Sequence, residues 1–270
     1  MNKFWNYSKK LGFWYKNSNN LNKNGDKKFT WKYIQDLYAR SEPFFDDKNY
    51  PWVNSGLKDQ TNYKIRYLPH LKLIQIAFQQ SHGKFDWFIN FLFFKAWKIK
   101  PYKKMPIVYK THMGFTISYK SIRDELINKV EEIAKNNEVT DIEIFGWSYG
   151  GAMTQLCLED LTFKYVINRE GENMFKNSIP LITGLTIGSP RVFYKTNIKS
   201  WETIQNRLSR LIMVANRNDI VTHCAPSFTG SKHILPLWGV GGKFNLKKFF
   251  TPTIYHTKTE YREQINKQED

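Results

Sequence analysis

The chain has 270 residues, a formal net charge of +17, and aromatic residues at 16% of its positions. That length accommodates one large α/β domain. The aromatic content indicates that the chain folds, and it excludes a chain that is disordered as a whole. The positive charge permits attraction to nucleic acid or to an anionic membrane, but the sequence has no nucleic-acid-binding motif, so we expect no specific nucleic-acid partner.

The cysteine content and the lengths of the apolar runs further limit the class of protein to which the chain can belong. Cys157 and Cys224 form neither a spaced framework nor a CxxC pattern, so the sequence predicts no metal site. The N-terminal segment lacks the uninterrupted apolar region of a signal peptide, and no stretch approaches the roughly 18 apolar residues of a membrane span. We therefore expect a soluble protein that is cytoplasmic or peripheral to a membrane.

The N-terminal part of the chain is predicted to differ from the rest. Residues 1–45 begin with a lysine-rich segment and continue with apolar residues at helical spacing, Trp31, Ile34 and Leu37. We interpret this part as a basic, partly mobile arm that leads into a short helix. Residues 46–270 are predicted to form the main domain.

Two apolar stretches follow the arm. Residues 64–78 are predicted to form a central strand that runs into a loop at 79–83. Residues 84–97 are dense in aromatic side chains, which fits two structures. One is a buried core helix, and the other is an amphipathic lid that covers an active site in water and turns toward lipid at an interface.

Helices and strands alternate in the middle of the chain. One apolar stripe predicts a helix from about Ser118 or Ser121 to Asn136, where Ser121 and Asp124 resemble a capping box. Strands are predicted at the apolar runs 142–145, 180–187 and 211–215. Parallel strands joined by crossover helices are the expected result.

The strand predicted at 142–145 leads directly into Gly146-Trp147-Ser148-Tyr149-Gly150 and then into a helix-forming run from Ala152. This order is typical of a nucleophile elbow, in which a G-x-S-x-G turn joins a strand to a helix. Glycines on both sides of the serine avoid a Cβ clash in so sharp a turn. The pattern predicts Ser148 as a nucleophile, and the alternative is a tight turn with an incidental serine.

An acid and a base are expected after the nucleophile, in the order Ser, Asp, His. Asp219 is the predicted acid because it lies just past the strand at 211–215, at the edge where α/β sheets place their sites. His256 is the predicted base because it lies late in the chain on an expected loop. Two alternatives stay open: His233, expected in a strand, and His223, only four residues past the acid.

Four separated segments match, in order, the motifs of one known family. They are residues 76–81 with 86–90, 111–115, 146–152, and 188–192 with 218–223. With these segments the chain resembles the class 3, fungal-type lipases. The resemblance implies a single-domain α/β-hydrolase fold, with a mostly parallel sheet, helices on both faces, and a lid in the aromatic stretch.

The resemblance also assigns roles to individual residues. Carried over position by position, it makes Ser148 the nucleophile and Asp219 the acid. It puts Ser81 at the family's oxyanion position, with the amide of Tyr149 as the second donor of the oxyanion hole. His256 follows only by its order in the chain.

The implied activity is hydrolysis of a lipid ester, either an acylglycerol or a phospholipid, without a metal or an organic cofactor. The charge favours contact with an anionic membrane or a lipid-droplet surface. The sequence departs from the family at Gln79-Gln80, where the family has Arg-Gly, and at Trp147, which replaces the elbow histidine. The glutamines motivate one alternative, a catalytically inactive lipase-fold protein that binds a membrane or a partner. The charge and the aromatic residues motivate another, a nucleic-acid-binding protein.

Overall fold

A computed structural model describes residues 15–16, 29–54, 61–80, 110–175, 179–195, 197–224, 231–241, 245 and 251–269. Its strands are β1 (Tyr15–Lys16), β2 (Val53–Asn54), β3 (Asn62–Leu68), β4 (Leu73–Phe78), β5 (Lys110–Thr111), β6 (Asp141–Trp147), β7 (Leu181–Ile187), β8 (Phe193–Tyr194), β9 (Leu211–Asn216), β10 (Ser231–Lys232) and β11 (Leu237–Val240). Its α-helices are α1 (Trp31–Asp46), α2 (Met113–Asn136), α3 (Tyr149–Leu161), α4 (Ile198–Arg207), α5 (Pro252–Tyr255) and α6 (Lys258–Asn266).

Eight of these strands form the central sheet, in the order β1-β11-β9-β7-β6-β4-β3-β2. All neighbours from β1 to β4 are parallel, whereas β4–β3 and β3–β2 are antiparallel. Strands β10, β8 and β5 form a small antiparallel sheet of their own. The predicted α/β class with a mostly parallel sheet is therefore confirmed, and so are the three strands predicted after residue 140.

Helices cover both faces of the central sheet. Side chains alternate between the faces along each strand, so in β6 Ile144 joins one core and Phe145 the other. The first face is packed by α2, α3 and α4 through residues that include Leu126, Val130, Met153, Leu156 and Ile204. The second face is packed by α1 and α6 through residues that include Trp31, Ile34, Leu37, Tyr261 and Ile265.

The stretch 64–78 does contain the predicted central strand that runs into a loop, but this strand is only β4; the extent predicted for it is wrong, because the first half of the stretch belongs to a separate strand, β3, and the two form a β-hairpin. Strands β3 and β4 pair antiparallel from Leu68 opposite Leu73. Between them lies a short helical turn, Pro69–Leu71, followed by Lys72 with φ of 50°. Proline has a fixed φ and no backbone N–H, so it interrupts the ladder there.

Helix α1 is a long, well-anchored element. It begins after Thr30, whose hydroxyl caps the helix by accepting from the amide of Tyr33 at 3.1 Å, and it continues to Asp46. Its buried stripe packs on the second face of the sheet. The division of the chain at residue 45 stays a prediction, and most of the predicted arm lies outside the described residues.

Helix α1 is also bound to helix α6 by polar contacts. The guanidinium of Arg262 donates to the Glu42 carboxylate at 2.7 Å, and the ammonium of Lys258 donates to Asp46 at 2.7 Å. The Gln35 amide donates to the carbonyl oxygen of Ile265 at 3.0 Å. The helix from the start of the described chain therefore holds the helix near its end.

Helix α2 begins at Met113, earlier than the predicted start at Ser118 or Ser121. The predicted capping box is wrong, because the Ser121 hydroxyl donates to the carbonyl of Ser118 inside the helix at 2.7 Å. The residue before the helix, His112, makes no side-chain cap, so no local signal in the sequence marks the true start. Among the described helices, none is long and apolar enough to cross a membrane. The aromatic stretch 84–97 lies outside the described residues.

Candidate active site

Ser148 lies at the turn between β6 and α3, in a strained backbone conformation with φ of 53° and ψ of −119°. The turn is tight: a Cβ on Gly146 would lie 2.1 Å from the carbonyl oxygen of Gly150, and a Cβ on Gly150 would lie 2.3 Å from that of Phe78. Neither contact is tolerable between backbone atoms, so both positions require glycine. The result is a serine raised at the carboxyl end of a central parallel strand.

The structure brings Ser148, His256 and Asp219 into one hydrogen-bonded row. The His256 Nε2 atom lies 2.7 Å from Ser148 Oγ, and its Nδ1 atom lies 2.6 Å from Asp219 Oδ2. A carboxylate can only accept, so Nδ1 carries the proton and Nε2 is left to accept from the serine hydroxyl. This tautomer is the one that a general base needs.

Asp219 is fully buried and fully engaged. Its Oδ1 atom accepts from the amide of Val221 at 2.9 Å, and its Oδ2 atom accepts from the hydroxyl of Tyr261 at 2.7 Å as well as from His256. The Tyr261 oxygen in turn accepts from the amide of Asn216 at 2.8 Å. These contacts fix the carboxylate at the end of β9 and direct it at the imidazole.

Tyr261 and Trp147 are site residues whose roles the sequence did not reveal. The ring of Trp147 lies 4.9 Å from that of Tyr261, in an edge-on arrangement, and 5.7 Å from the imidazole of His256. The aromatic side chain that replaces the elbow histidine thus packs against both the base and the acid's partner. No local motif marks Tyr261, since its partner Asp219 is 42 residues away.

The other two candidate histidines contact different groups. His233 Nε2 donates to the carbonyl of Thr222 at 2.7 Å, and burial, with Arg191 nearby, lowers the pKa of His233 to about 3. Burial, reinforced by Arg191 and His233, lowers the pKa of His223 well below its ordinary value. Both are partly buried and neutral at pH 7, whereas His256 is the histidine beside Ser148.

The predicted oxyanion residues are only partly described. Ser81 lies outside the described residues. Tyr149 is the first residue of α3, where backbone amides point out of the helix end. Its side chain is buried, with the phenol oxygen 2.8 Å from Thr61 Oγ1. Gln79 extends the β3–β4 ladder, with its amide 2.9 Å from the carbonyl of Asn62.

In the described ranges, no group of three or more His, Cys, Asp or Glu side chains could hold a metal ion. The Asp219, His256 and Ser148 row is instead arranged for proton transfer and nucleophilic attack.

Comparisons with known proteins agree with this geometry. The family description Lipase (class 3) matches residues 75–229, more than half of the chain. Lipase II from Rhizopus niveus is similar at 25% identity and a TM-score of 0.52, with 67% of this chain and 62% of that chain covered. This chain therefore spans less than two thirds of the Rhizopus lipase.

Two further solved structures share the fold. The triacylglyceride lipase of Rhizomucor miehei is similar at 24% identity and a TM-score of 0.54, with 74% of this chain and 75% of that chain covered. A fungal lipase in complex with an inhibitor, described as giving a model for interfacial activation, is similar at 25% identity and a TM-score of 0.52. That match covers 73% of this chain and 72% of the other.

Proposed function

This chain belongs to the class 3 lipase family, and from that premise we propose that it hydrolyses carboxylic esters of lipids through an acyl-enzyme. The observation that carries the proposal is the row of Asp219, His256 and Ser148, with donor–acceptor distances of 2.6 and 2.7 Å. In this role Ser148 is the nucleophile, His256 the general base and Asp219 the acid that orients it.

In the first half of the reaction, the Ser148 oxygen attacks the ester carbonyl carbon while His256 Nε2 takes the hydroxyl proton. The carbonyl oxygen becomes an oxyanion, which the amide of Tyr149 and the predicted donor Ser81 stabilise. Collapse of this intermediate breaks the bond to the alcohol oxygen, and His256 gives its proton to that oxygen. The alcohol leaves, and the acyl group stays on Ser148.

In the second half, the same groups act on water. His256 Nε2 takes a proton from a water molecule, whose oxygen attacks the acyl carbonyl carbon. When the bond to Ser148 breaks, His256 returns the proton to the serine oxygen and the carboxylic acid is released. Throughout, Asp219 holds the proton on Nδ1 and stabilises the imidazolium that forms twice per cycle.

Lipid esters are the proposed substrates because the Rhizopus relative is a lipase and the inhibitor complex concerns interfacial activation in lipases. The net charge of +17 supports approach to an anionic lipid surface. If this part is correct, turnover rises when the substrate passes from monomers to micelles or anionic vesicles. Equal rates on dissolved and aggregated ester would reject the interfacial part and leave the esterase part standing.

The nucleophile is tested with a fluorophosphonate probe, which reacts with activated serines. We expect labelling of the wild type and of Ser121→Ala, a serine on helix α2, and none of Ser148→Ala. An unlabelled wild type, or labelling that survives Ser148→Ala, would reject the proposal. The first of these results would favour the inactive lipase-fold alternative.

A further inference from the structure

A pocket of about 440 Å³ lies beside the candidate active site. Its walls come from the end of α1 and the segment after it, from Lys64 on β3, from Gln79 and Gln80, and from Lys258 on α6. Nothing in the proposed ester cleavage uses this space. The pocket is large enough for a polar group of several heavy atoms.

Two residues of the pocket wall adjoin the candidate active site. Gln79 directly follows β4 and lies against the first turn of α3, since a Cβ on Gly150 would be 3.0 Å from the Gln79 carbonyl oxygen. Lys258 follows His256 by two residues. A substrate whose ester group reached Ser148 would therefore have another part within reach of the pocket.

The pocket contains cationic groups, of which Lys64 is almost completely buried. Its ammonium donates to the carbonyl oxygens of Asp47 at 2.6 Å and Phe45 at 3.2 Å. It also lies 4.6 Å from the centre of the Trp52 ring. Burial lowers the pKa of Lys64, which indicates that its neighbours do not fully compensate its charge.

Lys258 is the more exposed cation, with 28% of its side chain accessible to solvent. Its ammonium bonds Asp46 at 2.7 Å and lies 3.9 Å from the centre of the Phe45 ring. An ammonium has three N–H donors, so among the described contacts Lys258 keeps donors for a ligand. The protein's own cations already cover the rings of Trp52 and Phe45, which argues against an aromatic cage for a quaternary amine.

The balance of charge in the pocket is positive. Three lysines and two aspartates line it: Lys48, Lys64, Lys258, Asp46 and Asp47. Asp46 is paired with Lys258, and Asp47 lies 3.9 Å from the guanidinium of Arg66, behind the wall. The uncompensated charge therefore favours an anion, and the amides of Gln79 and Gln80 add neutral donors.

We propose that this pocket binds the phosphate group of a phospholipid substrate, and that the enzyme therefore prefers phospholipids to uncharged acylglycerols with the same acyl chains. This inference rests on the proposed ester hydrolysis. Lys258 supplies charge-assisted hydrogen bonds to phosphate oxygens, and Lys64 supplies a fixed positive charge at the base of the pocket. The same chemistry would also hold free inorganic phosphate, so the test separates the two sources.

The test compares dioleoyl phosphatidylglycerol with dioleoylglycerol in mixed micelles of a neutral detergent. We expect Lys258→Gln to lower the ratio of the two kcat/KM values, phospholipid over diacylglycerol, about tenfold, since one hydrogen bond to a charged group is lost. The matched control is Lys267→Gln, which removes the same charge at the end of the same helix, away from the pocket. It should leave the ratio unchanged.

A ratio that falls equally in both variants would show that the preference comes from long-range electrostatic attraction. An unchanged ratio in Lys258→Gln would show that Lys258 does not contact the phosphate. Either result overturns the inference. If the wild type hydrolysed neither lipid through Ser148, the proposed function would be rejected instead. In that event, calorimetric titration with glycerol 3-phosphate and with inorganic phosphate tests whether the pocket binds a head group.

In that titration, binding of glycerol 3-phosphate that is tighter than binding of inorganic phosphate, and is weakened by Lys258→Gln, supports a head-group site. Equal binding of the two ligands identifies a site for free phosphate and overturns the assignment to substrate. No binding of either ligand overturns it as well.

Discussion

The two faces of the central sheet bury different kinds of side chain. On the first face, charges are neutralised inside the core: the Arg123 guanidinium bonds both oxygens of Asp160, at 2.6 and 3.1 Å, and Arg207 bonds Glu159 at 2.8 Å. On the second face, α1 and α6 pack with aromatic rings, including Tyr38, Phe45 and Trp147. Apolar contacts and aromatic rings occur on both faces, but the first face adds buried ion pairs and the second has the larger share of aromatic rings.

This difference divides the candidate active site between the faces. The nucleophile comes from the first face, since Ser148 precedes α3, whose buried side chains lie in that core. The base and the acid's partner come from the second face, through the turn that carries His256 and through Tyr261 on α6. The geometry of the candidate site therefore depends on packing on both faces.

The largest effect is expected at Asp219, where the two contributions meet. In Asp219→Asn, the amide can present an N–H to His256 and favour the wrong tautomer, so kcat/KM should fall about 10⁴-fold with the fold retained. Kinetics on a soluble ester, with a thermal melt to check folding, measure this. Asp124→Asn, at a side chain that is 88% exposed, is the control and should behave as wild type. A loss below tenfold would contradict the role of Asp219.

The next effect concerns acid stability. His112 packs against Phe115 of α2, and burial lowers its pKa to about 4. Burial also lowers the pKa values of His233 and His223. Unfolded histidines take up protons near pH 6.5 while these stay neutral, so the free energy of unfolding should fall as pH drops from about 6.5 toward 4. Each buried histidine contributes about 1.4 kcal/mol per pH unit.

Urea unfolding at several pH values between 7 and 4.5 measures this slope. Replacing the exposed His70 with Gln should leave the slope unchanged, because that imidazole meets solvent in both the folded and the unfolded chain. A free energy of unfolding that stays flat below pH 6.5 would contradict the lowered pKa values of His112, His223 and His233.

The smallest of the three effects is expected at Tyr261, on the second face. Tyr261→Phe keeps the ring against Trp147 but removes the hydroxyl that Asp219 accepts from, so kcat should fall about tenfold with KM little changed. Tyr67→Phe is a matched control, because it loses one hydrogen bond, to the carbonyl of Glu138, away from the site. A KM that rises in step with the fall in kcat would indicate general loosening and reject a positioning role.

The sequence predicted those parts of the fold that are encoded by continuous apolar runs. β6, β7 and β9 are packed on both sides, so most of their buried residues are apolar and the runs stand out. The hairpin at 62–78 does not stand out in the sequence, because its turn at Pro69 is only a few residues long and Asn62, Lys64 and Arg66 keep β3 from forming an apolar run. The predicted start of helix α2 is too late because no capping side chain precedes its first residue.

The candidate site divides in the same way. Ser148 and Asp219 follow strands that the sequence predicts, so it could be inferred that both lie at the same edge of the sheet. Tyr261, Trp147 and Lys64 act through partners that are distant in the chain, and spacing alone carries no signal of such contacts. His256 stood between these cases, because chain order suggested it but only the structure places it 2.7 Å from Ser148 Oγ.

The contact between α1 and α6 has a consequence for how the protein is made. Gln35 bonds a carbonyl 230 residues further along the chain, so on the ribosome the aromatic stripe of α1 is synthesised long before α6 exists. Contacts of such sequence separation form late, and the exposed stripe is a surface that chaperones or neighbouring chains can reach. The same late segment delivers His256, so on the proposed mechanism a nascent chain holds its serine without a base, and hydrolysis begins only with the final folding step.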